Sequence, residues 1–275
     1  MKASLKKWIA LPAAAVLARL GLLRGRRNNE QWTVLERYRY AHRGLHDDAL
    51  CAPENSLAAF RRAVENGFGA ELDVHLLADG TLAVLHDSDL SRMTGKAGYV
   101  EDLTAAELSE YHLAGTEQTI PQLWEVLDMF EGTGLPLVVE LKSFRDNFEE
   151  LTRRAVEELD RHGVPYCIES FDPRCLMWLR RHRDEIVRGQ LAQNFMQNPS
   201  GSGRAMDWWL TDLLFNASAV PDFISYRFED RKNRNLWLCR KVFGVRTFYW
   251  TIRSRADMET AEREGAQVIF EQFIP

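Results

Sequence analysis

From residue 38 onward, short apolar runs alternate with longer amphipathic stretches. The runs, rich in β-branched and aromatic residues, cover 38–42, 70–74, 137–141, 166–170, 186–191, 223–226, 245–251 and 268–271. Runs of this length and composition predict strands buried on both faces, as in a parallel sheet. Helix-length segments lie between most of them, at 56–65, 122–130, 146–162, 173–183, 229–242 and 255–264. Asn55 or Ser56 can cap the first, and Asp172 followed by Pro173 reads as a cap and first helical residue. Gly67, Gly163 and Gly265 each stand just past a helix, where a left-handed residue closes the last turn. Eight such strands give an α/β chain, as either a closed (β/α)8 barrel or an open doubly wound sheet. Polar positions favour the barrel. His42, Asp73, Glu140, Lys142, Glu169 and Glu271 all fall at or near the C-terminal ends of strands. A barrel gathers those ends at one mouth, whereas an open sheet spreads them apart.

Two stretches break the alternation. An insertion at about 75–119 follows the second strand and begins LLADGTLAVLHD, where Asp79-Gly80 predicts a tight turn between two apolar arms. A hairpin there returns His86 to Glu71 and Asp73. The second break, 194–219, is a Gly/Ser-rich loop followed by AMDWWLTDLLFNASAV. It reads as an ordinary barrel helix, or as a lid or membrane-dipping element, because tryptophan favours membrane interfaces. The chain stops at Pro275, directly after its eighth run, so no full eighth helix is expected.

Residues 1–36 stand apart from a barrel domain at 37–275. An apolar run at 8–23 is flanked by Lys2, Lys6 and Lys7 before it and Arg24, Arg26 and Arg27 after it. It is shorter than the roughly 20 residues of a typical spanning helix. A signal peptide, a single-pass or interfacial anchor, and a helix packed in the groove left by the missing eighth helix all compete. The basic flanks tilt the expectation towards membrane association, with contact through 8–23 and 205–219 and a soluble cytoplasmic protein as the alternative. The net charge of −5 argues against a nucleic-acid partner. Four scattered cysteines, without CxxC spacing, suggest neither a zinc site nor a disulfide framework. Nothing in the sequence sets the oligomeric state.

The chemistry gathers between Ala41 and Asp87. Glu71 and Asp73, at i and i+2, project to the same side of a strand. Two such carboxylates are costly to bury unless a cation joins them, and Glu140 makes a third ligand. An all-oxygen set suits a hard divalent ion, Mg²⁺ or Ca²⁺, better than zinc. His42 and His86 can serve as base and acid on opposite sides of a phosphodiester. Arg43 and Lys142 offer positive charge to phosphoryl oxygens. Glu54 reads as a carboxylate positioning Arg43 or a metal-bound water, and Phe171, Trp250 and Glu271 as pocket residues. The remaining histidines, His46 and His75 among them, have no comparable company. No HExxH, GxSxG, P-loop or GxGxxG motif is present, which argues against a zinc peptidase, a serine hydrolase or a nucleotide-binding enzyme.

The segments AHRG, PENS, AFRRAVENG, ELDVHLLADG, LAVLHDSDLSRMTG and VVELK, in this order, resemble the glycerophosphodiester phosphodiesterases. IESFDP and YWTIR continue the likeness more faintly. The resemblance implies a TIM barrel with a small insertion after its second strand. It also implies an acid/base pair at His42 and His86, a metal on Glu71, Asp73 and Glu140, and phosphate contacts from Arg43 and Lys142. The implied reaction releases glycerol 3-phosphate and an alcohol from a deacylated phospholipid, with attack by the glycerol 2-hydroxyl through a cyclic phosphate. His75 and Leu77 stand where glutamine and threonine are usual, and FEQFIP replaces TDYP, so that Glu271 stands in for a mouth aspartate. These departures touch substrate preference. A lysophospholipase D-like enzyme and a catalytically silent lipid- or glycan-binding barrel are the alternatives, and the intact histidine–carboxylate set disfavours the silent barrel.

Overall fold

The computed structural model describes residues 20–26 and 29–275. Eight parallel strands close a ring: β1 (Tyr40–Ala41), β2 (Gly69–Leu76), β4 (Leu137–Leu141), β5 (Tyr166–Ser170), β6 (Arg188–Ala192), β7 (Phe223–Arg227), β8 (Arg246–Ile252) and β9 (Gln267–Phe270). Pairing of β1 with both β2 and β9 completes the barrel. The expected first strand shrinks to two residues, while the other seven runs each hold a strand. Alternation along β2 sends Ala70, Leu72 and Val74 into the hydrophobic core shared with the helices, leaving Glu71 and Asp73 to the interior.

The helix Leu57–Glu65 begins where Ser56 accepts a hydrogen bond from the Ala59 N–H, so Ser56, not Asn55, is the cap. Its buried face is Ala59, Phe60 and Ala63. The helix Pro173–His182 starts at Asp172, which accepts from the Arg174 N–H, with proline at the first helical position as expected. Among the described residues, the chain from β9 to Pro275 forms no helix.

A short helix, Trp32–Leu35, plugs the N-terminal end of the barrel. Trp32 meets Phe223 and Phe248, each with ring centroids 5.6 Å away, and the Tyr40 hydroxyl donates to the Leu35 carbonyl at 2.8 Å. Val138, Cys167, Val187 and Ile269 complete this inner cluster. The bottom of the barrel is thus apolar and closed, and polar residues collect at the other end.

The insertion forms the expected hairpin. β3 (Leu82–Val84) runs antiparallel to the end of β2, pairing Val74 with Val84. Leu77, Leu85, Leu90, Met93, Val100 and Leu108 give the insertion its own small core. The 194–219 break contains two helices, Arg204–Thr211 and Asn216–Ala219, in the crossover between β6 and β7. Leu213 and Leu214 are buried in the main core, while Trp208 and Trp209 are each 42% exposed.

Of the 8–23 run, residues 8–19 lie outside the described residues. The end of the run and Arg26 of its basic flank are fixed to the barrel. Leu23 is buried in the main core, and its carbonyl accepts from Cys239 Sγ. Arg26 pairs with the fully buried Asp222 at 2.7 Å. No described helix is long and apolar enough to cross a membrane.

Gly189 makes the sharpest steric demand in the barrel wall. A Cβ there would lie 2.0 Å from the Phe223 ring, which Trp32 and Phe248 hold in place. Gly189→Ala should therefore destabilise the fold by about 1–3 kcal/mol through overpacking. Calorimetry should show the melting temperature falling by about 2–4 °C for each kcal/mol. An unchanged melting temperature would show that the wall yields freely.

Candidate active site

Strand register builds the acidic floor of the mouth. Asp73 lies opposite Glu140 across the β2–β4 pair, and Glu140 lies opposite Glu169 across β4–β5. Glu71 enters one inward step below Asp73. Glu71, Asp73, Glu140 and Glu169 are all buried. One oxygen from each of Glu71, Asp73 and Glu140 lies within 4.8 Å of the others, so the three expected ligands converge. All are hard oxygen donors, and the Glu169 Oε2 beside them is buried without a hydrogen-bond partner. This donor set fits a divalent cation of the Mg²⁺ or Ca²⁺ type.

Cations already face these acids. Lys142 Nζ bridges Asp73 Oδ1 at 2.9 Å and Glu140 Oε1 at 2.7 Å. Arg43 binds Glu54 at 2.8 Å and lies 3.5 Å from Asp73. Both expected phosphate contacts are thus at the mouth, engaged with carboxylates. Burial raises Glu71 well above the usual carboxylate range, helped by Asp73 and Glu140. Burial likewise raises Glu169 and Glu140, in each case with a neighbouring carboxylate adding to it. Burial alone would raise Asp73 too, yet Lys142, His86, Arg43 and a hydrogen bond from Asn55 hold it well below. Burial would lower Lys142, but Asp73 and Glu140 raise it, so it stays an ammonium ion.

The loop after β1 turns sharply at Arg43, whose φ of 53° lies in the left-handed region. Gly44 continues the turn at φ 79°, and a Cβ there would meet Ala59 at 2.9 Å. The turn aims the Arg43 N–H at Glu71 Oε2, 3.0 Å away. It also sets His42 at the mouth, with Nε2 3.9 Å from Glu71. Across the mouth, the hairpin delivers His86, because the Leu85 N–H bonds to the Asp73 carbonyl at 3.1 Å.

Each of these two histidines is held by a carboxylate at Nδ1. His42 Nδ1 lies 2.6 Å from Glu271 Oε2, and His86 Nδ1 lies 2.6 Å from Asp87 Oδ1. Such pairs put the ring proton on Nδ1 and leave Nε2 as the working nitrogen. Burial lowers His42 to about 4 against the pull of Glu271, so its imidazole is neutral at ordinary pH. Glu271, despite its own burial, is held far below the usual range by His42 and His46. Arg253 secures the other Glu271 oxygen at 2.7 Å, and Arg92 joins Asp87 to Glu54.

Phe171 and Trp250 pack edge to face at 5.8 Å, and Phe171 meets Phe195 at the same spacing. They form an aromatic cluster at the C-terminal ends of β5 and β8.

Four partners escaped the sequence reading. Asn55 donates to Asp73 Oδ2 at 2.8 Å and so orients this carboxylate rather than capping a helix. Asp87 orients His86, and its adjacency in the LHD run was the available signal. His46, expected to lack company, lies 3.6 Å from Glu271. His75, expected to be isolated as well, is buried against Glu101 at 2.7 Å, and its Nε2 lies 3.3 Å from the His86 carbonyl. His75, Glu101 and Ser88 thereby tie the insertion to the strand carrying Glu71 and Asp73.

Comparison with known proteins places the chain among related folds. Residues 42–274 match the model of the Glycerophosphoryl diester phosphodiesterase family. A glycerophosphodiester phosphodiesterase of Caldanaerobacter subterraneus subsp. tengcongensis is 30% identical over 241 residues, covering 83% of this chain and 91% of that protein. Another, from Bacillus altitudinis, is 36% identical over 171 residues, covering 58% of this chain and 68% of the relative. A phosphodiesterase of Oleispira antarctica, solved in complex with its product sn-glycerol-3-phosphate, superposes with a TM-score of 0.70 at 25% identity. That match covers 86% of this chain and 94% of the other.

If Glu71, Asp73 and Glu140 hold a cation, binding must stabilise the folded chain. Mg²⁺ or Ca²⁺ at about 100 times its dissociation constant should add about 2.7 kcal/mol, read as a rise in melting temperature. Glu71→Gln should abolish the rise. An equal rise in that variant would place the metal elsewhere.

Proposed function

Because the chain belongs to the glycerophosphoryl diester phosphodiesterase family, we propose that it hydrolyses glycerophosphodiesters to glycerol 3-phosphate and an alcohol. We propose also that it does so with one divalent cation and two histidines. The observation that carries the reading is the convergence of two carboxylate-oriented imidazoles on a buried three-carboxylate cluster. Glu71, Asp73 and Glu140 would hold Mg²⁺ or Ca²⁺, which supplies positive charge against the phosphoryl oxygens.

The remaining roles belong to the chain's own groups. His42, neutral and with its proton held on Nδ1 by Glu271, presents the Nε2 lone pair to the attacking hydroxyl and takes its proton. His86, its Nδ1–H oriented by Asp87, acts with a second proton on Nε2 and gives that proton to the departing alkoxide. Arg43 and Lys142, both fixed at the mouth, offer their N–H groups to the phosphoryl oxygens. Attack by the glycerol 2-hydroxyl through a cyclic phosphate fits this pairing, because one imidazole can then return to serve water. Phe171 and Trp250 bound the space for the leaving alcohol.

The direct test incubates the protein with Mg²⁺ or Ca²⁺ and glycerophosphocholine and measures released glycerol 3-phosphate. His42→Ala and His86→Ala should each lower kcat on the order of 10²–10⁴-fold with the barrel still folded. Asp87→Asn should lower kcat less than His86→Ala does, with KM little changed. Near-normal rates in His42→Ala, or turnover confined to lysophosphatidylcholine, would contradict the assignment.

We also propose that the protein works at a membrane surface. The basic-flanked run at 8–23 and the half-exposed Trp208 and Trp209 support this reading. Since Leu23 and Arg26 belong to the barrel, the informative truncation removes residues 1–19 only. That truncation should release the protein from sedimented lipid vesicles with its melting temperature kept. Unchanged sedimentation would refute the role of this run.

A further inference from the structure

The mouth holds a second cluster with metal-binding chemistry, separate from the three carboxylates. One nitrogen each from His42 and His46 and one oxygen of Glu271 lie within 4.8 Å of one another. Glu271 Oε2 faces both rings, 2.6 Å from His42 Nδ1 and 3.6 Å from His46 Nε2. Arg253 holds the other oxygen, Oε1, at 2.7 Å, which fixes Oε2 towards the imidazoles. The His46 and Glu271 side chains are mostly buried, at 19% and 9% exposure, yet the cluster opens at the mouth. His46 enters on the loop after β1, and Glu271 follows β9, the strand paired with β1. The barrel closure itself therefore brings the three together.

Two imidazoles and one carboxylate are the donor set of a zinc-type ion, with the fourth position left for solvent. The Glu71, Asp73 and Glu140 set is all oxygen and suits a hard ion. The two sites share no ligand and differ in the metal they prefer. We propose that His42, His46 and Glu271 form an inhibitory site for Zn²⁺ or a similar borderline transition-metal ion. The consequence for catalysis rests on the function proposed above. A zinc ion on His42 Nδ1 takes the place of the proton shared with Glu271, and the ring proton moves to Nε2. Nε2 then donates a hydrogen bond and no longer accepts a proton. The base is switched off without disturbing the three carboxylates.

The site can be tested without turnover. Full-length protein carrying Glu71→Gln is titrated with Co²⁺ and followed by its visible d–d absorption. His162→Ala is added to remove the exposed Asp128, Glu131 and His162 group. One Co²⁺ should bind with the intensity of a four- or five-coordinate nitrogen–oxygen site. Adding His46→Ala, or His46→Gln to preserve size, should remove that absorption. No absorption, or the same absorption without His46, overturns the site.

The second arm measures glycerophosphocholine turnover in excess Mg²⁺ while Zn²⁺ is added. Zinc should inhibit the unaltered protein. Measured against its own zinc-free rate, His46→Ala should need at least about tenfold more zinc for the same fractional inhibition, since even outer partners of metal ligands are worth 10–100-fold. Equal zinc sensitivity in His46→Ala would place inhibition at the three carboxylates and overturn the proposal, as would cobalt binding at His46 without zinc inhibition. A protein inactive at every zinc concentration would refute the proposed function, and the cobalt titration would still decide the site.

Discussion

Like charges at close quarters in a poorly solvated barrel mouth are the constraint on which this structure turns. Three carboxylates stand in register on β2, β4 and β5, and a fourth, Glu71, lies one inward step away. Without positive charge such a cluster takes up protons or forces the mouth open. Lys142 and Arg43 supply that charge from the end of β4 and the loop after β1, and the Arg43 N–H and Asn55 amide satisfy single oxygens. The cluster is therefore held at partial neutralisation. A divalent ion can enter it with more gain than it would find on a solvated surface.

The histidines obey a second rule, that a catalytic ring needs its far nitrogen fixed. Glu271 and Asp87 do this from distant parts of the chain, and each is itself anchored by an arginine. The His42 pair also joins β1 to β9, so the barrel's closing seam and the proposed base share one contact. On the other side, His75 and Glu101 brace the loop carrying His86. Scaffold and site are in this sense the same set of bonds.

Much of this was legible in the chain. The eight apolar runs announced the strands, and the i, i+2 spacing of Glu71 and Asp73 fixed their common face. Asp79-Gly80 predicted the hairpin that returns His86. What escaped depends on distance along the chain. His46 and Glu271 lie 225 residues apart in sequence, and only barrel closure makes them neighbours. His75 looked like an unpaired substitution because its partner, Glu101, sits on a short 3₁₀ turn inside the insertion. Asn55 presented the signature of a helix cap, but Ser56 takes that task and frees the amide for Asp73. Of the predicted first strand at 38–42, only Tyr40 and Ala41 pair with β2 and β9. Trp32, Leu35 and Tyr40 seal the barrel floor.

Glu71, Asp73 and Glu140 are proposed to seat a functional divalent cation. Anomalous diffraction from crystals soaked in Mn²⁺ and glycerol 3-phosphate tests this most directly. One strong peak bounded by those three carboxylates is expected, with product phosphate between it and the His42 and His86 rings. No peak there, or phosphate bound away from both histidines, would contradict it.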